Sequence, residues 1–394
     1  MDMLKKSLCI LLVCCVGLYV LCGCNTQPEI PTGSNHNEAF LDDSLCAESS
    51  GNKMVETEDG YYYLRYSTLY YADKDSLGQW VPVCNEPNCK HTTAACPAKV
   101  EGDTFFIQDD RIYTMRDPRA VTGSSAGTSL TNAVYSISRD GTGLQQEYGI
   151  SGSDLEHGGA GYFFLRAGKT YGCYSVMQQD GTFQNQIICA DGTQEQVLYS
   201  GTSMEMMAPD LTPASADGMH GDLAVYCSFL SPSGEYYDHL YRFADNTLTE
   251  IPGITDYNIM GAYLDGDILY HFVPNDGYYR TDLSTNITEK QQDAQLSDSV
   301  AFHMSQRYCV ETNIYRCPVS QVPEIRIYDG NSWKNADLNG FDGAAENGTF
   351  FPFAISSEHI FFVLSQRTST RLYCICLTDE TYTLTPCGEF ELPQ

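Results

Sequence analysis

Cys84, Cys89, His91 and Cys96 fall within thirteen residues, spaced C-x4-C-x-H-x4-C. Three thiols and one imidazole are the donor set that Zn²⁺ takes in a tetrahedral site, and a short loop can wrap an ion at little entropic cost. Pro87 and Pro97 favour such a compact, non-repetitive loop. The spacing differs from common zinc-finger patterns, and outside the cytoplasm paired cysteines are usually disulfides. Three readings are therefore open: a metal held by all four residues, one disulfide that leaves a free Cys beside a structural His, or free thiols. With four protein donors a metal here is structural, because a catalytic ion keeps an open position.

Two other groups carry chemically capable residues. Gly123-Ser124-Ser125-Ala126-Gly127 matches G-x-S-x-G, but a nucleophile elbow needs a buried strand before it and a helix after it. The polar, loop-like flanks Asp117 to Thr122 and Thr128 to Asn132 read instead as an insertion. The segments Ser151 to Gly161 and Ser203 to Gly221 read as long inter-strand loops carrying Asp154, Glu156 and His157, then Asp210, Asp217 and His220. Loops are where binding usually resides, yet no spacing links these residues to a metal or acid–base geometry, and solvated loop residues are the simpler reading. No catalytic residue is assigned. The remaining cysteines after Cys24, which are Cys46, Cys173, Cys189, Cys227, Cys309, Cys317, Cys374, Cys376 and Cys387, mostly sit inside strand-like runs, as small buried thiols do. Cys374 and Cys376 share one strand face, and i,i+2 spacing in a strand is poor disulfide geometry.

The elements that must position these residues are short strands. Asp59 to Cys84 reads as Tyr61 to Arg65, Leu69 to Ala72 and Trp80 to Val83, each an aromatic and aliphatic run bounded by turn formers. The phrase recurs in seven cycles whose first runs begin near Tyr61, Phe105, Tyr162, Leu223, Ile268, Tyr308 and Ile360, spaced 44, 57, 61, 45, 40 and 52 residues apart. Each second run, such as Val134 to Ile137 or Leu372 to Ile375, leads into an Asp turn at Asp73, Asp140, Asp180, Asp245, Asp282, Asp329 or Asp379. Asp-Gly between strand-like runs is a strong hairpin signal, since Gly supplies the positive φ of the turn. Tyr257 to Leu264 and Phe350 to Ile355 serve as further strands, and no helical period is sustained over 11 residues. The expected fold is all-β: a single β-propeller of seven four-stranded blades over residues 52–394, with six or eight blades, or a pair of β-sandwiches, as the alternatives.

At 394 residues the chain is long for one core, but repeat units pack only on their neighbours and escape that limit. Aromatic residues make up 12% and charged residues 19%, a balance that excludes a long disordered chain. Residues 1–23 read as a targeting signal peptide, with an uncleaved N-terminal anchor helix as the alternative: Lys5 and Lys6 precede the apolar Ser7 to Leu21, and Leu21-Cys22-Gly23-Cys24 closes it. Residues 24–51 are polar and aperiodic, a flexible tether. The formal charge of −29 includes a net +1 from Asp2, Lys5 and Lys6, so the mature chain stands at −30. A surface this acidic repels nucleic acid and anionic headgroups.

Leu21-Cys22-Gly23-Cys24 resembles a bacterial lipobox, which implies a diacylglyceryl group on Cys24 and a place on the outer face of the cytoplasmic membrane. The hydrophobic-Tyr-x-hydrophobic runs leading to Asp-Gly resemble the blades of TolB-like propellers. With the phrase Cys84-Asn85-Glu86-Pro87-Asn88-Cys89-Lys90-His91, the chain is similar to propeller lipoproteins of Gram-positive anaerobes. That group implies fold and address but no activity. Two functions follow as expectations: a binding or scaffold module for a protein or glycan partner, or an enzyme of envelope or dietary glycans with its site in the propeller channel. A structural zinc is the one cofactor expected.

Overall fold

A computed structural model describes residues 54–392 apart from 101–104, 109, 123–131, 151–159, 167–168, 191–194, 204–207, 214–222, 231–235, 245–246, 256–262, 266–267, 274–275, 297–300, 305–306 and 320–321. The signal peptide, Cys24, the tether, the G-x-S-x-G phrase, Asp154, Glu156, His157, Asp217 and His220 lie outside the described residues.

Alternating apolar runs and Asp turns build seven antiparallel sheets among the described residues, each with four strands side by side in chain order; in the sixth, Arg316–Cys317 interrupts the order between the second and third strands and pairs with the seventh sheet instead. Sheet I comprises Met54–Glu56, Gly60–Arg65, Thr68–Asp73 and Val81–Pro82, and sheet II Phe105–Gln108, Arg111–Arg116, Asn132–Ser138 and Gln145–Ile150. Sheet III holds Ala160–Arg166, Lys169–Met177, Phe183–Ala190 and Glu195–Ser203, and sheet IV Ala208–Pro213, Leu223–Leu230, Tyr236–Ala244 and Thr247–Thr255. Sheet V is formed by Tyr263–Asp265, Ile268–Val273, Gly277–Asp282 and Ile287–Asp293, and sheet VI by Ala301–Met304, Cys309–Thr312, Ile325–Tyr328 and Trp333–Asn335. Sheet VII has Gly348–Ile355, His359–Ser365, Ser369–Cys376 and Leu384–Glu391, with Arg316–Cys317 added as a fifth strand beside Gly348–Ile355. The sequence marks fall on the second strand in sheets I, IV, V, VI and VII but on the first in sheets II and III, which makes their spacing uneven. Two local readings change. Asp210 lies in the first strand of sheet IV rather than in a loop, and Pro118–Thr122 forms a single helical turn. Among the described residues no helix is long and apolar enough to cross a membrane.

The Asp turns share one device. Asp73, Asp140, Asp180, Asp282, Asp329 and Asp379 each accept a hydrogen bond at Oδ1 from the backbone N–H two residues on, at 2.9–3.0 Å. This local bond satisfies a backbone donor that the tight turn would strand. Gly141, Gly181 and Gly330 follow three of them with φ of +77°, +84° and +89°, where a β-carbon is disfavoured.

Both faces of sheet I are covered, so its second strand reads as an unbroken apolar run rather than an alternating one. Tyr61 and Tyr63 enter a core shared with sheets VI and VII, while Tyr62 and Leu64 enter a core shared with sheet II. The first and last sheets of the chain therefore pack against one another. Polar contacts tie the same seam. The fully buried Glu56 carboxylate meets Lys74 Nζ at 2.8 Å, the Ser357 N–H at 2.8 Å and Ser357 Oγ at 2.5 Å. Tyr61 Oη lies 3.1 Å from Ser356 Oγ and 3.0 Å from His359 Nδ1, Arg65 donates to Thr370 and Ser365, and Trp80 Nε1 donates to the Cys387 carbonyl at 2.7 Å.

Candidate metal centre

The chain leaves sheet I after Val81–Pro82 and makes an irregular excursion over residues 83–100. Its turns are tight. The Cys89 N–H donates to the Glu86 carbonyl at 3.2 Å, Cys96 to Thr93 at 3.0 Å and Lys99 to Cys96 at 3.0 Å. Asn88 and His91 take left-handed φ of 60° and 53°, a conformation Asn tolerates and His adopts at a cost of about 1 kcal/mol. The far end of the loop returns to sheet I, where Leu69 N–H donates to Ala98 at 2.8 Å and Val100 N–H to Ser67 at 2.9 Å. The loop is thus closed at both ends on one hairpin.

Inside that closure the four expected residues converge. One donor atom from each of Cys84, Cys89, His91 and Cys96 lies within 4.8 Å of all the others. His91 Nδ1 is 3.3 Å from Cys96 Sγ, and the His91 N–H donates to Cys89 Sγ at 3.4 Å. A tetrahedral ion with bonds of about 2.3 Å sets sulfurs about 3.8 Å apart, so a contraction of roughly 1 Å at most closes the group around it. All three cysteines are free thiols, and the group could hold a metal such as zinc. Cys96 is buried while Cys84, Cys89 and His91 are half-buried, which leaves a path from solvent.

Burial raises the Cys84 thiol above its ordinary value and pushes Cys96 up to about 12, and it lowers His91. At neutral pH the two sulfurs are protonated and the imidazole neutral. A metal would find its nitrogen ligand ready and would displace protons from the sulfurs.

Two residues that sequence reasoning did not select complete the site. Arg116, the last residue of the second strand of sheet II, is buried and donates to three carbonyls of the loop: Ala94 at 3.2 Å, Cys96 at 2.8 Å and Pro97 at 2.5 Å. Its planar fork suits several acceptors at once. Gly141, in the Asp140 turn of sheet II, lies against the loop's first residue, and a β-carbon there would sit 2.6 Å from the Cys84 nitrogen. The donors sit on a loop of sheet I, and sheet II holds that loop in place. A cleft of about 460 Å³ runs beside it, lined in part by Asn85, Glu86, Pro97 and Thr142.

No family model and no curated protein matches the chain. Among solved structures it is similar to an oligogalacturonate lyase in complex with manganese, at 10% identity over 70% of this chain and 76% of that one with a TM-score of 0.43. It is also similar to a puromycin hydrolase mutant complexed with PGG (12%, 90% of this chain, 57% of that one, TM-score 0.49) and to an acylaminoacyl peptidase of Pyrococcus horikoshii (10%, 88% of this chain, 51% of that one, TM-score 0.42). The chain spans little more than half the length of the hydrolase and the peptidase. These likenesses are to β-propeller proteins, and none bears on activity.

Proposed function

We propose that this protein is a seven-bladed β-propeller, anchored by lipid on Cys24 to the outer face of a bacterial cytoplasmic membrane, that binds a protein or glycan partner. In this reading each sheet is one blade, and a structural zinc held by Cys84, Cys89, His91 and Cys96 pins the loop between the first two. The supporting observation is the convergence of four donors, all from the protein, within 4.8 Å. Such a set fills a tetrahedron and leaves no position for substrate, so the metal it suits is a structural one.

Metal content after purification without chelator tests the zinc. About one equivalent, lost in His91→Ala, is the expected result, and a metal-free protein that lacks two free thiols in denaturant overturns it. Fatty-acid labelling in cells tests the anchor: label absent from Cys24→Ala supports it, and unchanged label removes it. The partner class is tested with purified peptidoglycan and pectic oligosaccharides as probes, alongside crosslinking in cells. Retention without new reducing ends, or one reproducible protein crosslink, supports a binding module. Released product replaces it with the glycan-active enzyme.

A further inference from the structure

The cleft beside the metal loop has two walls of different origin. Asn85 and Glu86 follow Cys84 directly, and Ala95 and Pro97 flank Cys96, so one wall is built from the immediate neighbours of two sulfur donors. The half-buried Val121 and Leu144 stand with the Asp140 turn on the other wall, which belongs to sheet II and its connections. The donors of that turn are spent inside it. The Gly141 N–H donates to the Ser138 carbonyl at 2.9 Å, and the Thr142 N–H and hydroxyl both donate to Asp140 Oδ1, at 3.0 and 2.7 Å. Thr142 therefore offers the cleft a lone pair. Glu86, an exposed carboxylate with no ion pair among the described residues, offers acceptors only. None of the described lining residues is cationic or aromatic. The cations nearby are committed elsewhere: Arg116 to the loop carbonyls, Arg119 to Asp117 at 2.9 Å, and Arg111 to Ser136 and the Gly143 carbonyl.

We propose that this cleft receives a lysine or arginine side chain of a partner polypeptide, and that the metal sets its width. The site deepens the binding-module reading and, for its width, rests on the zinc. The methylenes of such a side chain lie along Pro97, Val121 and Leu144, while its charged end, all donors, meets Glu86 and the Thr142 oxygen at the rim. An apolar floor with a few placed acceptors is the usual make-up of a ligand cleft, and about 460 Å³ holds the side chain with the backbone that carries it. With no aromatic residue the cleft gives a sugar ring no flat face, which favours the polypeptide over the glycan. Charge favours it as well, because a chain of formal charge −29 steers a basic segment to its surface before docking. Since one wall adjoins Cys84 and Cys96, drawing their sulfurs in around an ion moves that wall against the other, which sheet II fixes.

The test uses the full chain, zinc-loaded or stripped by chelator, and glycine-flanked peptides whose central residue is Lys, Arg, Nε-acetyl-lysine or Glu, with affinities from ligand-observed NMR titration. The Lys and Arg peptides should bind, and the acetylated and Glu peptides should be weaker by about tenfold or more, the worth of one charge-assisted hydrogen bond. Glu86→Gln should lose the same factor, as should Thr142→Arg, which sets the chain's own cation at the rim, with Tm confirming that each variant is folded. Glu58→Gln, an exposed acid in the first turn of sheet I, should keep full affinity. Zinc removal should lower the Lys peptide to the level of the acetylated one, and unchanged affinity strikes the metal's part. Equal affinity for all the peptides overturns the proposal. So do equal losses in Glu86→Gln and Glu58→Gln, which mark a general field rather than a site. Retention of chitosan oligosaccharide that depends on Glu86, with no peptide bound, gives the cleft to an amino sugar and overturns it too. A chain that takes zinc without this selectivity fails here and leaves the metal reading standing. One that takes no zinc fails that reading, and the Glu86 comparison still decides the cleft.

Discussion

Sheet I turns Tyr61 and Tyr63 toward sheet VII and Tyr62 and Leu64 toward sheet II, and its two flanks are held by different chemistry. On the sheet VII side the core runs on through sheets VI and VII, twenty-five buried residues among those described, and in it Tyr63 meets Trp80, Phe353 and Phe390 with ring centroids 5.2–5.8 Å apart. Its polar groups, including the buried Glu56, find partners in the side chains and backbone of sheet VII and in Lys74. On the sheet II side the shared core numbers eleven residues among those described, and the chain there runs through a loop with almost no sheet pairing. Where the core is broad, burial suffices, at about 25 cal/mol per Å² of apolar surface. Where it is thin, three loop carbonyls need a guanidinium, and a cluster of thiols is placed where an ion would crosslink it.

The sharpest way to break the sheet VII side is to empty it. Tyr63→Ala removes a ring held by three aromatic neighbours and should cost about 3–5 kcal/mol of unfolding free energy by denaturant titration. Metal content should not change, because the ring lies on the opposite face of sheet I from the core shared with sheet II. Equal losses of stability and metal would mean that the flanks are not separate.

Arg116→Met is the matching cut on the sheet II side. It leaves the carbonyls of Ala94, Cys96 and Pro97 short of a donor, at about 2–3 kcal/mol, since stranded buried acceptors cost more than the bonds contribute. Metal affinity should fall with it, and proteolysis should begin within residues 84–100. Arg116→Lys keeps the charge but not the fork, so it should recover part of the stability. Full recovery would show that charge alone matters.

Acid should act on the broad flank. His359, whose Nδ1 lies 3.0 Å from the Tyr61 hydroxyl, has its pKa lowered chiefly by burial, opposed by Glu358 and Glu56 and reinforced by Lys74. Its folded value lies below the unfolded value of about 6.5, so the unfolded chain takes the proton first. The stability it contributes is complete above pH 6.5 and is lost as pH falls below it. His271 and His303, in sheets V and VI, are lowered by burial to about 4 and act with the same sign between pH 6.5 and 4. Tm followed from pH 8 to 4 should fall less steeply in His359→Gln, and an unchanged slope would remove His359 from the account.

Much of this architecture was legible because its signals are local. An Asp that bonds the N–H two residues on needs only its own turn, and six of the seven expected turn residues do so, with Asp245 outside the described residues. The four donors of the loop lie within thirteen residues, close enough for composition to suggest convergence. What escaped is long-range. Arg116 reads as the polar end of a strand until its sheet is placed against the loop, and Glu56 shows no sign of Ser357, some three hundred residues on. The bulge at Cys387 depends on register, which strand alternation does not reveal.

Gly141 and Gly181 sit in the same kind of turn, each just after its Asp. Gly181 has a φ of +84° and open space within 4 Å of where a β-carbon would sit, so Gly181→Ala bears only the left-handed backbone cost of about 1 kcal/mol. Gly141 has a φ of +77° and faces the loop, where a β-carbon would lie 2.6 Å from the Cys84 nitrogen and 2.8 Å from the Cys84 α-carbon and the Val83 carbonyl carbon. These are backbone atoms that no side-chain rotation can move aside. Gly141→Ala should therefore lose more stability than Gly181→Ala, and it alone should weaken metal binding, since displacing Cys84 moves a sulfur of the cluster. The measurement is Tm for each variant together with zinc affinity by competition with a chromophoric chelator. Equal Tm losses with unchanged affinity in both would mean that sheet II does not position the loop, and the loop would then depend on its own turns and on sheet I.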